Sequence, residues 1–169
     1  MNPIHWKISD EVLPASIAAM RPHGALGNEG LALWFAVQEA DSIVFTHVVV
    51  PHGPGFRTTP LFMSLSLRAM SVLTEFADSN GVFLAGQIHS HPGDFIDLSD
   101  LDQAHGIRVP HYLSVVCPYY AQRDIRSLSE CGVHYFDVDR YRPLSQAEIG
   151  SRISSSYRPI QKVSIKVPA

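Results

Sequence analysis

The chain has 169 residues, a length that suits one domain. Apolar residues make up 46% and charged residues 17% of the sequence, so a packed core is expected and a disordered chain is excluded. The net charge is -3, and the sequence contains no basic block that would indicate a nucleic-acid-binding surface. No apolar run reaches the roughly 18 residues that span a bilayer, and the N-terminus lacks a signal pattern. We therefore expect a cytoplasmic protein without nucleic-acid or membrane partners.

The first half of the chain contains predicted helices and strands in alternation. Two apolar, β-branched runs indicate strands, and apolar residues spaced three and four apart indicate an amphipathic helix that stops at Asn80-Gly81. The predicted elements are a helix over 9–24 capped by Ser9 or Asp10, strands over 30–37 and 41–51, a Pro- and Gly-rich loop over 51–60, and a helix over 61–81.

The second half adds more strands and two short helices. The predicted elements are strands over 82–89, 112–117 and 132–139, a helix over 99–107 capped by Ser99, and a helix over 145–153. This mixture predicts an α/β (α+β) fold in which helices flank a mixed central β-sheet. Residues 1–153 are expected to be a single domain, and residues 154–169 a C-terminal tail that is flexible or binds a partner.

The stretch GQIHSHPGDFIDLSDLDQAH, residues 86–105, concentrates side chains that bind metals. His89 and His91 share one face if the strand continues to residue 91, and Asp102 lies in the first turn of the helix that Ser99 begins. Imidazole and carboxylate groups are common zinc ligands, and three protein ligands leave a position for water, as in catalytic zinc sites. Two histidines alone are weak evidence, but Pro92, Ser99 and Asp102 at these offsets strengthen it.

The pattern HxHP followed by S-x-x-D resembles the motif of the JAB/JAMM zinc metalloproteases, a family that includes deubiquitinating enzymes of the proteasome lid and of endosomal sorting. The resemblance implies that His89, His91 and Asp102 bind Zn²⁺ and that Ser99 helps to hold the oxyanion. It also implies a single cytidine-deaminase-like JAB/MPN domain. The segments NEGLALWFA, GQIHSHP and YLSVVCP look most similar to stand-alone bacterial JAB proteins encoded beside ubiquitin-like conjugation enzymes.

The resemblance also implies an upstream catalytic glutamate. Glu29 and Glu39 bracket the apolar strand GLALWFAV, and a strand rise of roughly 3.3 Å per residue separates them by about 33 Å, so at most one reaches the metal. Glu29 directly precedes GLAL and looks like the family's glutamate before a glycine and an apolar strand. Glu29 is therefore the predicted base, which takes a proton from water and passes it to the leaving amine.

The function implied by the resemblance is that of a zinc metalloprotease, a deubiquitinase-like isopeptidase. It would cleave after the C-terminal tail of a ubiquitin-like protein, to mature a precursor or to remove it from a conjugate. The expected partners are that ubiquitin-like protein or its conjugates, together with activating (E1-like) and conjugating (E2-like) enzymes.

Two other functions stay open from the sequence. One is hydrolysis of small peptide or amino-acid adducts on a sulfur-carrier protein, and the other is a metal-free scaffold in a larger complex. The intact set of predicted site residues argues against the scaffold. Cys117 and Cys131 form neither a CxxC site nor a nucleophile pattern, so a cysteine protease is disfavoured and both are expected to be buried.

Overall fold

The computed structural model describes residues 4–169 and contains four α-helices and eleven strands within that range. The helices are α1 (Val12–Gly24), α2 (Leu67–Asn80), α3 (Asp100–His105) and α4 (Gln146–Arg152). The strands are β1 (His5–Ile8), β2 (Leu31–Glu39), β3 (Ser42–His52), β4 (Phe56–Thr58), β5 (Met63–Leu65), β6 (Phe83–Ser90), β7 (Leu113–Cys117), β8 (Gly132–Phe136), β9 (Tyr141–Pro143), β10 (Ile153–Ser155) and β11 (Gln161–Lys166). None of these helices has the length and apolar character needed to cross a membrane.

Nine of the strands form one mixed sheet. Its order is β10-β1-β3-β2-β6-β7-β8-β9, and β11 also pairs with β3. The β6–β7 pair is parallel, whereas β2 is antiparallel to both β3 and β6. The remaining strands, β4 and β5, form a separate two-stranded hairpin. The predicted α/β (α+β) class with a mixed central sheet is thus confirmed.

Apolar side chains cover both faces of the central strands. On β2, Trp34 packs in the cluster that contains α1, while Leu33 and Phe35 pack in the cluster that contains α2. Successive strand residues point to opposite faces, so a strand buried on both sides has an unbroken apolar sequence. This burial explains the run GLALWFAV and places β2 and β6 at the centre of the fold.

The prediction of one helix over 61–81 is wrong at its start, because α2 begins at Leu67. Ser66 caps α2, and its Oγ accepts a hydrogen bond from the backbone N–H of Ala69 at 3.0 Å. The residues before the cap pair with β4 instead, so the predicted loop over 51–60 also contains a strand. The apolar spacing that suggested a helix before Leu67 belongs to a short strand.

The start of α1 also differs from the prediction. Its N-cap residue is Glu11, which makes no side-chain capping bond. Ser9 lies one turn earlier, and its carbonyl accepts a hydrogen bond from the N–H of Val12 at 3.0 Å. Neither Ser9 nor Asp10 is therefore the cap, because the chain turns once between β1 and α1.

Much of the segment after residue 153 belongs to the sheet. β10 pairs with β1, and β11 runs parallel to the second half of β3. Val167 is fully buried, and its N–H donates to the carbonyl of His52 at 2.7 Å. Sheet pairing therefore holds residues 161–167 in place, and partner binding by this tail stays a prediction.

Candidate metal centre

Three parts of the chain bring the predicted ligands together. His89 lies near the end of β6, His91 follows directly after this strand, and Asp102 lies in the first turn of α3. Both histidines are buried, and the Asp102 side chain is 14% exposed. Among residues 4–169, these three side chains form the group whose ligand atoms converge closely enough to hold a metal ion.

The distances between the converging atoms suit a tetrahedral metal site. His91 Nε2 lies 3.1 Å from His89 Nε2 and 3.1 Å from Asp102 Oδ2, and His89 Nε2 lies 3.5 Å from Asp102 Oδ1. Zinc bonds of about 2.0–2.2 Å in tetrahedral geometry separate neighbouring ligand atoms by roughly 3.3–3.5 Å. Two imidazoles and a carboxylate are also the donor types that zinc accepts. The residues therefore fit this ion.

The local backbone orients His91 as a ligand. Its Nδ1 lies 3.3 Å from the carbonyl oxygen of Phe95, and the Phe95 ring stacks on the imidazole with centroids 5.6 Å apart. A hydrogen bond from Nδ1–H to a carbonyl leaves Nε2 free to bind a metal. The N–H of His91 also donates to the carbonyl of Cys117 at 2.9 Å, which ties the ligand to the end of β7.

Ser99 holds the Asp102 carboxylate. Its N–H and its hydroxyl both donate to Asp102 Oδ2, at 2.8 and 2.6 Å, and its Oγ accepts from the N–H of Asp102 at 3.2 Å. This reciprocal capping box begins α3 and fixes the carboxylate beside the histidines. The hydroxyl proton thus points at Asp102 in this structure. The oxyanion role of Ser99 stays a prediction, which requires the hydroxyl to leave the carboxylate.

Glu29 reaches the same site from the start of β2. It is 3% exposed, and its Oε1 lies 3.9 Å from His91 Nε2. Glu39, at the other end of β2, instead pairs with Arg158. Glu29 is therefore the glutamate that the fold brings to the ligands.

Gly30 explains how Glu29 can sit so close to β6. The N–H of Gly30 donates to the hydroxyl of Ser90 at 2.9 Å, and the N–H of Ser90 donates to the Gly30 carbonyl at 3.1 Å. A Cβ at residue 30 would lie 2.7 Å from the Cα of Met20 in α1. Only glycine avoids this clash, so the close packing on α1 accounts for a glycine after Glu29.

Burial and charge shift the pKa values of the site in opposite directions. Burial raises the pKa of Glu29 to about 7, although the nearby His91 partly lowers it. Burial acts to raise the pKa of Asp102 as well, but hydrogen bonds with His89, His91 and Ser99 hold it well below its usual range. Burial lowers the pKa of His89. Asp102 is therefore ionised and His89 neutral, as metal ligands must be, and Glu29 can exchange a proton near neutral pH.

Tyr120 is a site residue that the sequence did not reveal. It lies in a turn in which Tyr119, Tyr120 and Ala121 have φ values of 55°, 53° and 58°. Its N–H donates to the carbonyl of His91 and its hydroxyl to the carbonyl of Pro60, both at 2.8 Å. Left-handed backbone is unfavourable for residues other than glycine, so the sequence Tyr-Tyr-Ala carried no signal for this turn.

A groove of about 410 Å³ lies beside Asp102. The β4–β5 hairpin supplies one wall and α3 the other, with lining residues that include Met63, Leu65, Leu101, Asp102, His105 and Ile107. Residues 62–65, which directly follow the loop predicted over 51–60, line the hairpin wall of the groove.

Comparisons with known proteins agree with the geometry. No family model matches the chain. Over 107 residues the chain is 32% identical to a Sinorhizobium fredii protein called a probable metalloprotease, y4jG, and the match covers 62% of this chain and 65% of that relative. The matched region thus spans less than two thirds of the relative's length.

Two solved structures are similar to this chain. The solution structure of protein DSY2949 from Desulfitobacterium hafniense has a TM-score of 0.66 at 16% identity, over 91% of this chain and 94% of that one. The crystal structure of AF2198, a JAB1/MPN domain protein from Archaeoglobus fulgidus, has a TM-score of 0.47 at 13% identity, over 89% and 96% of the two chains. The first of these matches shows a shared fold.

Motif, geometry and sequence similarity point to the same kind of site. His89 and His91 of the HxHP motif converge in space with Asp102 of the S-x-x-D motif, although Asp102 lies in α3 and the histidines lie at and just after the end of β6. The sequence relative carries the name of a probable metalloprotease. Together, the converging side chains and the similarity to a probable metalloprotease agree with the predicted resemblance to the JAB/JAMM metalloproteases.

Proposed function

We propose that this protein is a zinc-dependent protease that cleaves after the C-terminal tail of a ubiquitin-like protein, as a maturing peptidase or a deconjugating isopeptidase. The observation that carries the proposal is the placement of a buried glutamate 3.9 Å from a His-His-Asp group at the end of a groove. The similarity to a probable metalloprotease supports the same reaction class.

His89, His91 and Asp102 would hold the zinc ion, which supplies Lewis acidity that polarises a carbonyl group and acidifies water. Glu29 as a carboxylate accepts a proton from the attacking water and then donates it to the leaving amine. Its pKa of about 7 suits both steps, because both protonation states are accessible near neutral pH. Ser99 keeps Asp102 oriented through two hydrogen bonds.

The groove suits an extended peptide. β5 pairs only with β4 among the described residues, so one of its edges is free, and the residues of β5 line the groove next to Asp102. A substrate strand added to that edge would gain main-chain hydrogen bonds without a requirement for particular side chains. Ubiquitin-like tails end in glycine, and the absence of side chains lets their backbone pass close to the ion.

Two measurements test this proposal against the other two functions. Zinc content separates an enzyme from a metal-free scaffold, since we expect about one ion per chain from a three-ligand site. Cleavage of a folded ubiquitin-like fusion is then compared with cleavage of a short peptide that has the same final residues. Preference for the fusion supports the proposal, whereas preference for the short peptide favours hydrolysis of small adducts on a sulfur carrier.

The groove itself provides a sharper test. Leu101→Ala removes an exposed apolar side chain from the α3 wall, and Leu61→Ala removes a similarly exposed one outside the groove lining. We expect Leu101→Ala to raise KM for the folded fusion severalfold with little change in kcat, because it removes binding surface and leaves the proton-transfer groups in place. Equal effects of the two substitutions would contradict binding in this groove.

A further inference from the structure

The two cysteines face each other across neighbouring strands. The β7–β8 register pairs Val115 with Val133 and Val116 with Gly132. One more step along this antiparallel ladder places Cys117 directly opposite Cys131. Both are free and buried, at 0% and 3% exposure. The sequence separates them by 14 positions, so only the strand pairing reveals their proximity.

Backbone hydrogen bonds show whether the two cysteines form a hydrogen-bonded or a non-hydrogen-bonded pair of the antiparallel ladder. Phe136 N–H donates to the Tyr112 carbonyl at 2.9 Å, which makes these two residues a hydrogen-bonded pair. Pairs alternate along an antiparallel ladder, so Cys117 and Cys131 form a non-hydrogen-bonded pair with Cα atoms about 4.5 Å apart. Their backbone groups bond elsewhere, since Cys117 accepts from His91 N–H and Cys131 donates to Leu128. A disulfide accommodates Cα separations of about 4.4–6.8 Å.

From this geometry we propose that Cys117 and Cys131 form a reversible disulfide when the protein meets a small peroxide. We also propose that this bond stiffens the end of β7 and the turn after it, which contact the backbone of His91. The end of β7 carries the carbonyl that accepts the His91 N–H, and the turn after it carries the Tyr120 N–H that donates to the His91 carbonyl. The disulfide would close the segment 118–130, which contains this turn.

The two sulfurs have similar surroundings. Both side chains are buried, and the Cys117 thiol donates a weak hydrogen bond to the Pro118 carbonyl at 3.7 Å. Formation of the disulfide therefore depends on the placement of the two cysteines opposite each other, and either sulfur can attack the peroxide first.

The oxidation balances with hydrogen peroxide as the oxidant. If Cys117 reacts first, its thiolate attacks one peroxide oxygen and breaks the O–O bond, which yields a sulfenic acid and a hydroxide that takes up a proton to become water. Cys131 then attacks the Cys117 sulfur, so that the S–S bond forms, the S–O bond breaks and a second water leaves. Two thiols are oxidised and one peroxide is reduced to two waters.

Peptide mapping of the full-length protein tests the proposal. The protein is treated with hydrogen peroxide, unfolded in the presence of an alkylating agent, digested and analysed by mass spectrometry. We expect a linked peptide pair that contains Cys117 and Cys131, the loss of both alkylatable thiols, and their recovery after reduction with dithiothreitol. Thiols that stay fully alkylatable, or a disulfide between two chains, would overturn the proposal.

Two matched variants test the pairing of the two cysteines. In Cys131→Ala and in Cys117→Ala the remaining thiol lacks its resolving partner, so we expect no disulfide within the chain, and excess peroxide should drive that thiol to a sulfinic acid that dithiothreitol does not reverse. Full recovery of the remaining thiol by dithiothreitol in both variants would overturn the pairing of these two cysteines. The peptide map of the unsubstituted protein decides on the disulfide itself even if a variant fails to fold.

Denaturant unfolding tests the structural consequence. A cross-link restricts the unfolded chain, so the oxidised protein should unfold at a higher denaturant concentration than the reduced protein. Dithiothreitol should return the midpoint to that of the reduced form. An unchanged or lower midpoint in the disulfide-linked protein would overturn the claim that the bond stiffens the end of β7 and the turn after it.

Discussion

The metal centre and the core around α1 are both buried against the same sheet, but they bury different chemistry. In the core, Trp6, Trp34 and Phe45 are fully buried, and the polar Ser16 is satisfied because it accepts from Trp34 Nε1 and donates to the Val12 carbonyl. In the metal centre, His89 and Glu29 are buried, and His89 Nδ1 has no hydrogen-bond partner among the described residues.

This difference means that the core supplies stability, whereas the candidate metal centre supplies the groups for function. Apolar burial in the core contributes roughly 25 cal/mol per Å² of surface removed from water. Buried ionisable groups instead carry a desolvation cost, which is offset only by partners or by a metal ion. The metal centre should therefore respond to the loss of an ion or of a single charged group, and the core to the loss of volume.

The largest expected effect is that of His91→Ala. Removal of one of three ligands should reduce the zinc content from about one ion per chain to near zero and abolish peptidase activity. His105→Ala, which changes a histidine of the groove that is not a predicted ligand, should retain zinc. Metal analysis after dialysis measures both variants. A full complement of zinc in His91→Ala would show that the ligand assignment is wrong.

The next effect is that of Glu29→Gln on turnover. The amide keeps the shape of the side chain but cannot take up a proton, so we expect kcat to fall by about 10²–10⁴-fold with zinc retained. Glu39→Gln is the matched control and should have nearly normal activity, because Glu39 lies at the far end of β2. If Glu39→Gln were the inactive variant, the base would have been placed at the wrong end of the strand.

Truncation of a core side chain should lower stability and leave zinc binding intact. Phe45→Ala should lower the free energy of unfolding by about 3–5 kcal/mol, because it removes a fully buried ring and leaves a cavity. The folded fraction should still bind zinc. Val138→Ala, at a side chain that is 85% exposed, should change stability little. Denaturant titration with metal analysis checks this prediction, and zinc loss from folded Phe45→Ala would show that the two regions are coupled.

The smallest expected effect is a pH-dependent stability difference in the metal-free protein. Burial raises the Glu29 pKa from its ordinary value of 4.5 to about 7. The folded state therefore holds this proton more tightly, and the resulting stability is present at low pH and lost as pH rises through about 7. Glu29→Gln should lack this loss, so the free energies of unfolding of the two proteins should diverge as pH rises from about 4.5 to about 7 and keep a constant difference above it. Parallel curves from acidic to alkaline pH would contradict the shift.

Much of the candidate site could be predicted because it is local in the chain. The alternation of side chains along a strand places His89 and His91 on one face, and a serine before a helix predicts the cap that carries Asp102 into its first turn. The apolar run of β2 likewise indicated a buried strand. These features depend on neighbouring residues, whose geometry the backbone period sets.

The hairpin and the turn at Tyr120 could not be predicted in the same way. Leu61 and Leu65 continue an apolar spacing that is compatible with a helix, and only the pairing of residues 63–65 with β4 makes this segment a strand. Tyr120 adopts left-handed backbone because its N–H and hydroxyl find partners at His91 and Pro60. Long-range contacts here outweigh local preference, as tertiary structure commonly does.

The sequence by itself thus determined which three side chains form the candidate metal site, the cap of α3 and the mixed fold class, since each follows from the spacing of residues within one element or between adjacent ones. Tertiary structure alone decided which neighbours the distant residues meet. It brought Glu29 to His91 across the β2–β6 pair, turned the Ser99 hydroxyl onto Asp102, and set Cys117 opposite Cys131. The physical reason is that strand pairing and register join residues far apart in the chain, and a periodic pattern specifies which face a side chain occupies but not which strand lies beside it.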